Sequence, residues 1–533
     1  MEPRSRVESM SKITKIDELS KDLIPDNSVV AIGGVHSHNV PMSLVRQVIR
    51  LGVKNLTLVG SISAGLPIDI LVGAGTVQRI LAPYVGMEMW GLAPMYRKAV
   101  QSGSIDAPEV CEAFPIYSLR AAANGIPFHP FPERVHEFDD IPSQSDLYKK
   151  ITDPFTGKEV YTVQALSPDI AFIHVQKATA SGDCVHLGSV VSDRLMAEAS
   201  KYTIITCDEL VDEVDRDMVT IPSFMVDRVI PLKGAAFPTS SHGLYRYSET
   251  EILNYLKACR TQEGFDTYIN SLGASEKEYL QTKELPHNFE GQPNSGKYTM
   301  SELVACIFSR DIRDGEVGIC GAVADIPMAA MRLAERMHAP NMRWISGGSG
   351  YVSPRGRLVP SSTDFEMSIK ADARLSMDEV IAIEMTKIDF FFAGGLQIDE
   401  EGSTNLGGIP KDGGWKLRGP GSVGLPFLPR AGRSYLYSLN HTNRTLVKQV
   451  NYISGPGHFY EDGGPTLLIT NLCVFEWDGG WSLQSLHPDV TLEQVEEATA
   501  FDFKKPEEIP QTKLPSEEEL RILREIDVFG VLK

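Results

Sequence analysis

The sequence carries one supersecondary pattern twice, and this repetition limits the fold more than any single motif does. Ser28–Gly34 is an apolar run ending in glycines. Pro41–Leu51 has helical spacing, with Met42, Val45, Val48 and Ile49 on one face, and Asn55–Gly60 is a second apolar run. In the second half, Asp314–Gly321 is again an apolar run closed by glycine, Pro327–Met337 has helical spacing, and Asn341–Gly347 follows. Pro41, Met42 and Asn55 fall on Pro327, Met328 and Asn341 at one constant offset, with the preceding strands one residue out of step. Later, Asp169–Gly182 falls on Asp389–Gly402, so the blocks keep their order. A repeat of this length duplicates a domain and does not build a solenoid. Strand, glycine turn, helix and strand make the unit of a parallel α/β sheet. The expected fold class is therefore α/β, with two pseudo-symmetric open α/β domains from an internal duplication. Their expected bounds are 12–271 and 298–533, with a polar, Pro- and Gly-bearing linker over 272–297.

The run from Asn341 passes through Trp344 and Ile345 into Gly347, Gly348 and Gly350. In open α/β sheets ligands lie beyond the carboxyl ends of such strands, and glycine lets the backbone approach them closely. A tight turn without a ligand is the alternative reading. If the glycine-rich strand ends of both halves meet, the site lies in the cleft between them.

The chain's 533 residues exceed what one core holds. Its net charge is −19 and no basic run of five occurs, which disfavours nucleic-acid and anionic-membrane partners. The seven cysteines are scattered and form no CxxC pair, which argues against a disulfide framework and a metal site and for a reducing compartment. Residues 1–12 read as a polar lead-in without the apolar stretch of a signal peptide, and Ile16–Leu23 as a short amphipathic helix. No apolar run reaches the length of a membrane span. A cytoplasmic protein is expected.

Several short motifs then occur in a fixed order. The first half holds Ile32-Gly-Gly-Val35 before Pro41, Ala121–Phe128, Ile173–Gly182 and Lys201–Glu209. The second holds His338-Ala-Pro-Asn341, Gly394–Asp399, Gly419–Gly424 and Ile453–Gly457. Together they resemble the family I CoA-transferases with α and β subunits fused. The resemblance implies the CoA-transferase/NagB-like fold, an acyl-CoA substrate, coenzyme A as substrate moiety with no tightly bound cofactor, and a homo-oligomer. It also implies a strand-end glutamate that attacks the thioester, which is covalent catalysis by a carboxylate. Aligned on His338–Asn341, that position is Gly347, and Ser346, Gly348 and Ser349 supply no carboxylate. The chain is similar in this to the steroid ring-opening hydrolase branch, which lacks the same glutamate and relies on an α-subunit glutamate. Hydrolysis or retro-Claisen cleavage of a CoA thioester is the first expectation. CoA transfer between carboxylic acids is the second, and non-catalytic acyl-CoA binding the third.

Retro-Claisen cleavage needs a general base with raised proton affinity and donors for a developing oxyanion. Glu88 has apolar neighbours on both sides and is the first candidate base, a helix-start carboxylate being the alternative. Glu112, with Glu109, is the rival, against a capping role after Pro108. His36 and His38 sit on the first glycine turn as candidate donors or bases. The resemblance makes Gly421 and Ser422 backbone oxyanion donors. It places Gly33, Gly34, Gly347, Gly348, Gly394 and Gly395 around substrate and coenzyme A, with tight turns as the alternative. Lys416 and Arg418 read as surface charges.

Overall fold

In the computed structural model the described residues are 11–321, 323–384 and 386–533, so most of the polar lead-in lies outside them. The first sheet contains β1 (Val29–Ile32), β2 (Leu56–Gly60), β3 (Val77–Leu81), β4 (Ile170–Thr179), β5 (Cys184–Val185), β6 (Tyr202–Val211) and β7 (Arg228–Pro231). Its order is β7-β6-β4-β1-β2-β3, all parallel, with β5 folded back antiparallel on β4. The second contains β8 (Val317–Cys320), β9 (Arg343–Ser346), β10 (Tyr351–Val352), β11 (Ala373–Arg374), β12 (Phe390–Ala393), β13 (Arg433–Ser438), β14 (Pro465–Thr470), β15 (Cys473–Trp477) and β16 (Trp481–Leu486). Its order is β11-β10-β9-β8-β12-β13-β14-β15-β16, parallel from β9 through β14.

The centres of the two sheets superpose in order, β4-β1-β2 on β12-β8-β9. The match extends to single bonds. Asp169 Oδ2 accepts from Val29 N at 2.8 Å, and Asp389 Oδ2 accepts from Val317 N at 2.8 Å. The backbone N–H groups of Asp169 and Asp389 donate back to the carbonyls of Val29 and Val317, both at 2.8 Å. Each aspartate thus registers the middle strand against its neighbour. The helices α1 (Met42–Leu51) and α2 (Asp325–Met337) follow β1 and β8 and cover the sheets through the apolar faces read from the sequence.

Two local readings change and one is extended. Ile16–Glu18 is one 3₁₀ turn, not a helix to Leu23. The turn read at Gly347–Gly350 carries the chain back as β10, antiparallel to β9. Within 272–297, Glu276–Gln281 is helical, and Glu276 is fully buried between Arg46 and Arg50 at 2.5 and 2.6 Å.

One apolar core runs from the first sheet into the second half through Ile319, Ile345, Phe391 and Leu425, and a second core lies around Trp344 and Phe308. Polar links stitch the same seam. Arg246 reaches Asp364 at 3.1 Å and Glu366 at 3.0 Å. Residues 419–424 pass between two first-half segments: Val85 N donates to Pro420 O at 2.7 Å, and Glu112 N to Val423 O at 3.0 Å. Among the described residues no helix is long and apolar enough to cross a membrane.

Candidate active site

A cavity of about 350 Å³ opens on this seam, beyond the carboxyl ends of β8, β9 and β12. Glu88, Glu112, Gly347, Gly348 and Gly394 all line it, joined by Glu384, which the sequence reading did not single out.

Glu88 stands at the head of a 3₁₀ turn, Glu88–Trp90, with φ 49°. A left-handed conformation costs a side-chain-bearing residue about 1–2 kcal/mol and persists where the surroundings hold it. Ser361 Oγ donates to Oε1 at 2.6 Å and Ser37 Oγ to Oε2 at 3.0 Å. Burial raises the proton affinity of this carboxyl, opposed by His38 and by the two hydroxyls. His38 Nε2 lies 3.0 Å from Ser361 Oγ and Nδ1 2.6 Å from Ser240 Oγ. His36 Nδ1 is 3.8 Å from Glu88 Oε1. Burial holds His36 down at about 3 and His38 at about 4, so both are neutral near pH 7. Neither lines the cavity; they back Glu88 from behind.

Glu112 immediately precedes α3 (Ala113–Ala123), and its side chain makes no capping bond. It pairs instead with the carboxyl of Glu384, near the end of α4 (Met377–Glu384), across the seam. Two buried carboxyls in contact cannot both ionise cheaply, so the pair holds a proton. Burial raises Glu112 to about 7 against the lowering effect of the Glu384 bond, and burial together with the adjacent Glu112 raises Glu384 well above the usual carboxylate range. A signal for Glu384 did exist in the sequence: a carboxylate inside the apolar run Val380-Ile-Ala-Ile383.

Gly424 makes room for this pair. A Cβ there would stand 2.3 Å from Glu112 Oε1. Gly424→Ala is therefore expected to displace the carboxyl and lower kcat/KM on the order of 10²-fold while the fold is kept. Steady-state kinetics alongside near-ultraviolet circular dichroism checks this.

Other candidates are placed differently. Gly34 N donates to Asp193 Oδ1 at 2.9 Å, and Gly33 faces the same carboxyl, so this glycine turn closes on Asp193 and lies off the cavity wall. Ser422 N donates to Glu109 Oε1 at 2.6 Å, so that N–H is already taken. Gly421 and Ser422 are flanked by Pro420, Val423 and Gly424, which do line the cavity. Gly395 sits one residue beyond the wall. Arg418 is not a surface charge. It is 1% exposed and bound to Glu109, to Tyr96 OH at 2.9 Å and to Gly407 O at 2.8 Å. Gly347 directly follows β9, and a Cβ there would lie 2.9 Å from Cys320 O, closer than real Cβ contacts come. A glutamate at this position would require β8 or β9 to move.

The coenzyme A transferase family model matches residues 13–231 and 302–498. The chain belongs to this enzyme family. It is 35% identical to an uncharacterized protein of Archaeoglobus fulgidus over 49% of its length, a match that spans 59% of that relative. It is 27% identical to the cholesterol ring-cleaving hydrolase IpdA subunit of Mycobacterium tuberculosis over 52% of this chain and 98% of that one. The acyl-CoA transferase YdiF of Escherichia coli O157:H7 matches in fold across 98% of this chain and 97% of its own, at TM-score 0.67 and 17% identity. The fold of both halves in one chain is thus that of a CoA-transferase.

Proposed function

We propose that this member of the family cleaves a CoA thioester substrate, by hydrolysis or by retro-Claisen carbon–carbon cleavage, without a glutamyl-CoA intermediate. One observation carries the reading: the cavity holds the Glu112–Glu384 pair and Glu88 beside Gly347, the position that the family motif His338–Asn341 assigns to the transferase nucleophile. Glu112, poised near neutrality beside the Glu384 carboxyl, serves as general base toward water. Glu88, with both oxygens held by hydroxyls, orients the substrate. The proton kept on Glu384 is available to the leaving carbanion or thiolate. In this reading 12–271 and 298–533 act as the α- and β-like halves, coenzyme A enters as part of the substrate, and the assembly is a homo-oligomer. The similarity to a cholesterol ring-cleaving hydrolase subunit favours cleavage. The second reading, CoA transfer, rests on the family itself.

The test is intact-protein mass after incubation with an acyl-CoA panel and borohydride, with free CoA and acyl products followed in parallel. Cleaved product without a CoA-sized adduct is expected. A CoA adduct on a glutamate sinks the cleavage reading in favour of transfer.

A further inference from the structure

The wall of the cavity restricts the acyl group. Of the described residues that line it, none is lysine, arginine or histidine. Its charged members are Glu88, Glu112 and Glu384, and the rest is largely aliphatic and aromatic, including Ile62, Leu92, Val323, Phe391, Phe392 and Leu425. Three cations at the seam are closed on other partners. Arg418 is held by Glu109 and Tyr96, Arg246 by Asp364 and Glu366, and Arg120 by Glu198 and Asp378.

We infer that the acyl group taken here is uncharged and mainly apolar, and that the mono-CoA thioester of a dicarboxylic acid is excluded. A second carboxylate on the substrate would lose its hydration without meeting a counter-ion, and it would face three carboxyl side chains. That is discrimination by repulsion as much as by fit. A keto group needs only a proton donor, which the carboxyl pair supplies. The aliphatic walls reward a hydrocarbon chain through burial alone.

This rests on the reading that the cavity holds the acyl part of a CoA thioester, and binding separates the two claims. Calorimetric titration of the full chain with hexanoyl-CoA, adipyl-CoA and CoA alone at pH 7.5 compares ligands of equal length that differ in one carboxylate. Hexanoyl-CoA is expected to bind at least about 100-fold more tightly than adipyl-CoA. Leu92→Arg, which places a cation on the wall, is expected to narrow the gap at least about tenfold. Adipyl-CoA binding as well as hexanoyl-CoA overturns the inference, as does failure of both to bind better than CoA alone. A preference for hexanoyl-CoA in a protein that cleaves no acyl-CoA upholds it and removes the cleavage reading instead.

Discussion

Glu112→Gln is expected to lower kcat/KM by about 10²–10⁴-fold with the fold intact, the range over which a positioned general base contributes. The substitution keeps the volume and the contact with Glu384 while removing the group that takes the proton. The pH profile gives the sharper version of this test. A base works when unprotonated, so the wild-type rate should rise with pH through about 7, where Glu112 loses its proton. It should fall again once Glu384, whose carboxyl is also raised, loses the proton that the leaving group needs. Glu384→Gln removes the second ionisable group and the proton kept for the leaving group, so the rate should drop and the alkaline fall disappear while the acid limb remains. A full rate in Glu112→Gln, or an unshifted bell in Glu384→Gln, would remove the pair from the chemistry and return the role to Glu88. Glu88→Gln should act more weakly, because the amide oxygen still accepts from one of the two hydroxyls and the amide NH2 can donate to the other.

Arg418→Met is expected to destabilise the chain by about 3–5 kcal/mol, measured by urea unfolding. The guanidinium is fully buried and answers the Glu109 carboxylate, the Tyr96 hydroxyl and the Gly407 carbonyl at once. Methionine fills similar space but leaves Glu109 as an uncompensated buried charge. Glu109 in turn holds Ser422 N, so the loss should spread into residues 419–424 and the cavity wall. The double variant Arg418→Met with Glu109→Gln should recover much of the stability, since the cost lies mainly in the orphaned charge and not in the missing pair. A loss below about 1 kcal/mol in the single variant would mean that water reaches this pair.

The duplication was legible in the sequence because it is written in local periodicity. Apolar alternation and glycine closure place β1, β2, β8 and β9, and Asp169 and Asp389 then make matching bonds in their two halves. Glu88, Glu112 and Gly347 were also legible as candidates, the first as a carboxylate beside apolar residues, the second as one opening a helix after Pro108 and the third against the motif of a family. What each does was not. Glu112 acquires its proton affinity from burial that both halves create together, and in turn raises that of Glu384, which lies far along the chain on another helix. Gly33 and Gly34 look like a ligand turn until Asp193 is seen to fill it. Arg418 looks like a surface charge until Glu109 is found beside it in the core. Periodicity is local, so the sequence determined the strands, helices and their repetition. Desolvation and partner distance depend on segments brought together only by folding, so the tertiary structure alone decided which carboxyls hold a proton and which charges are spent.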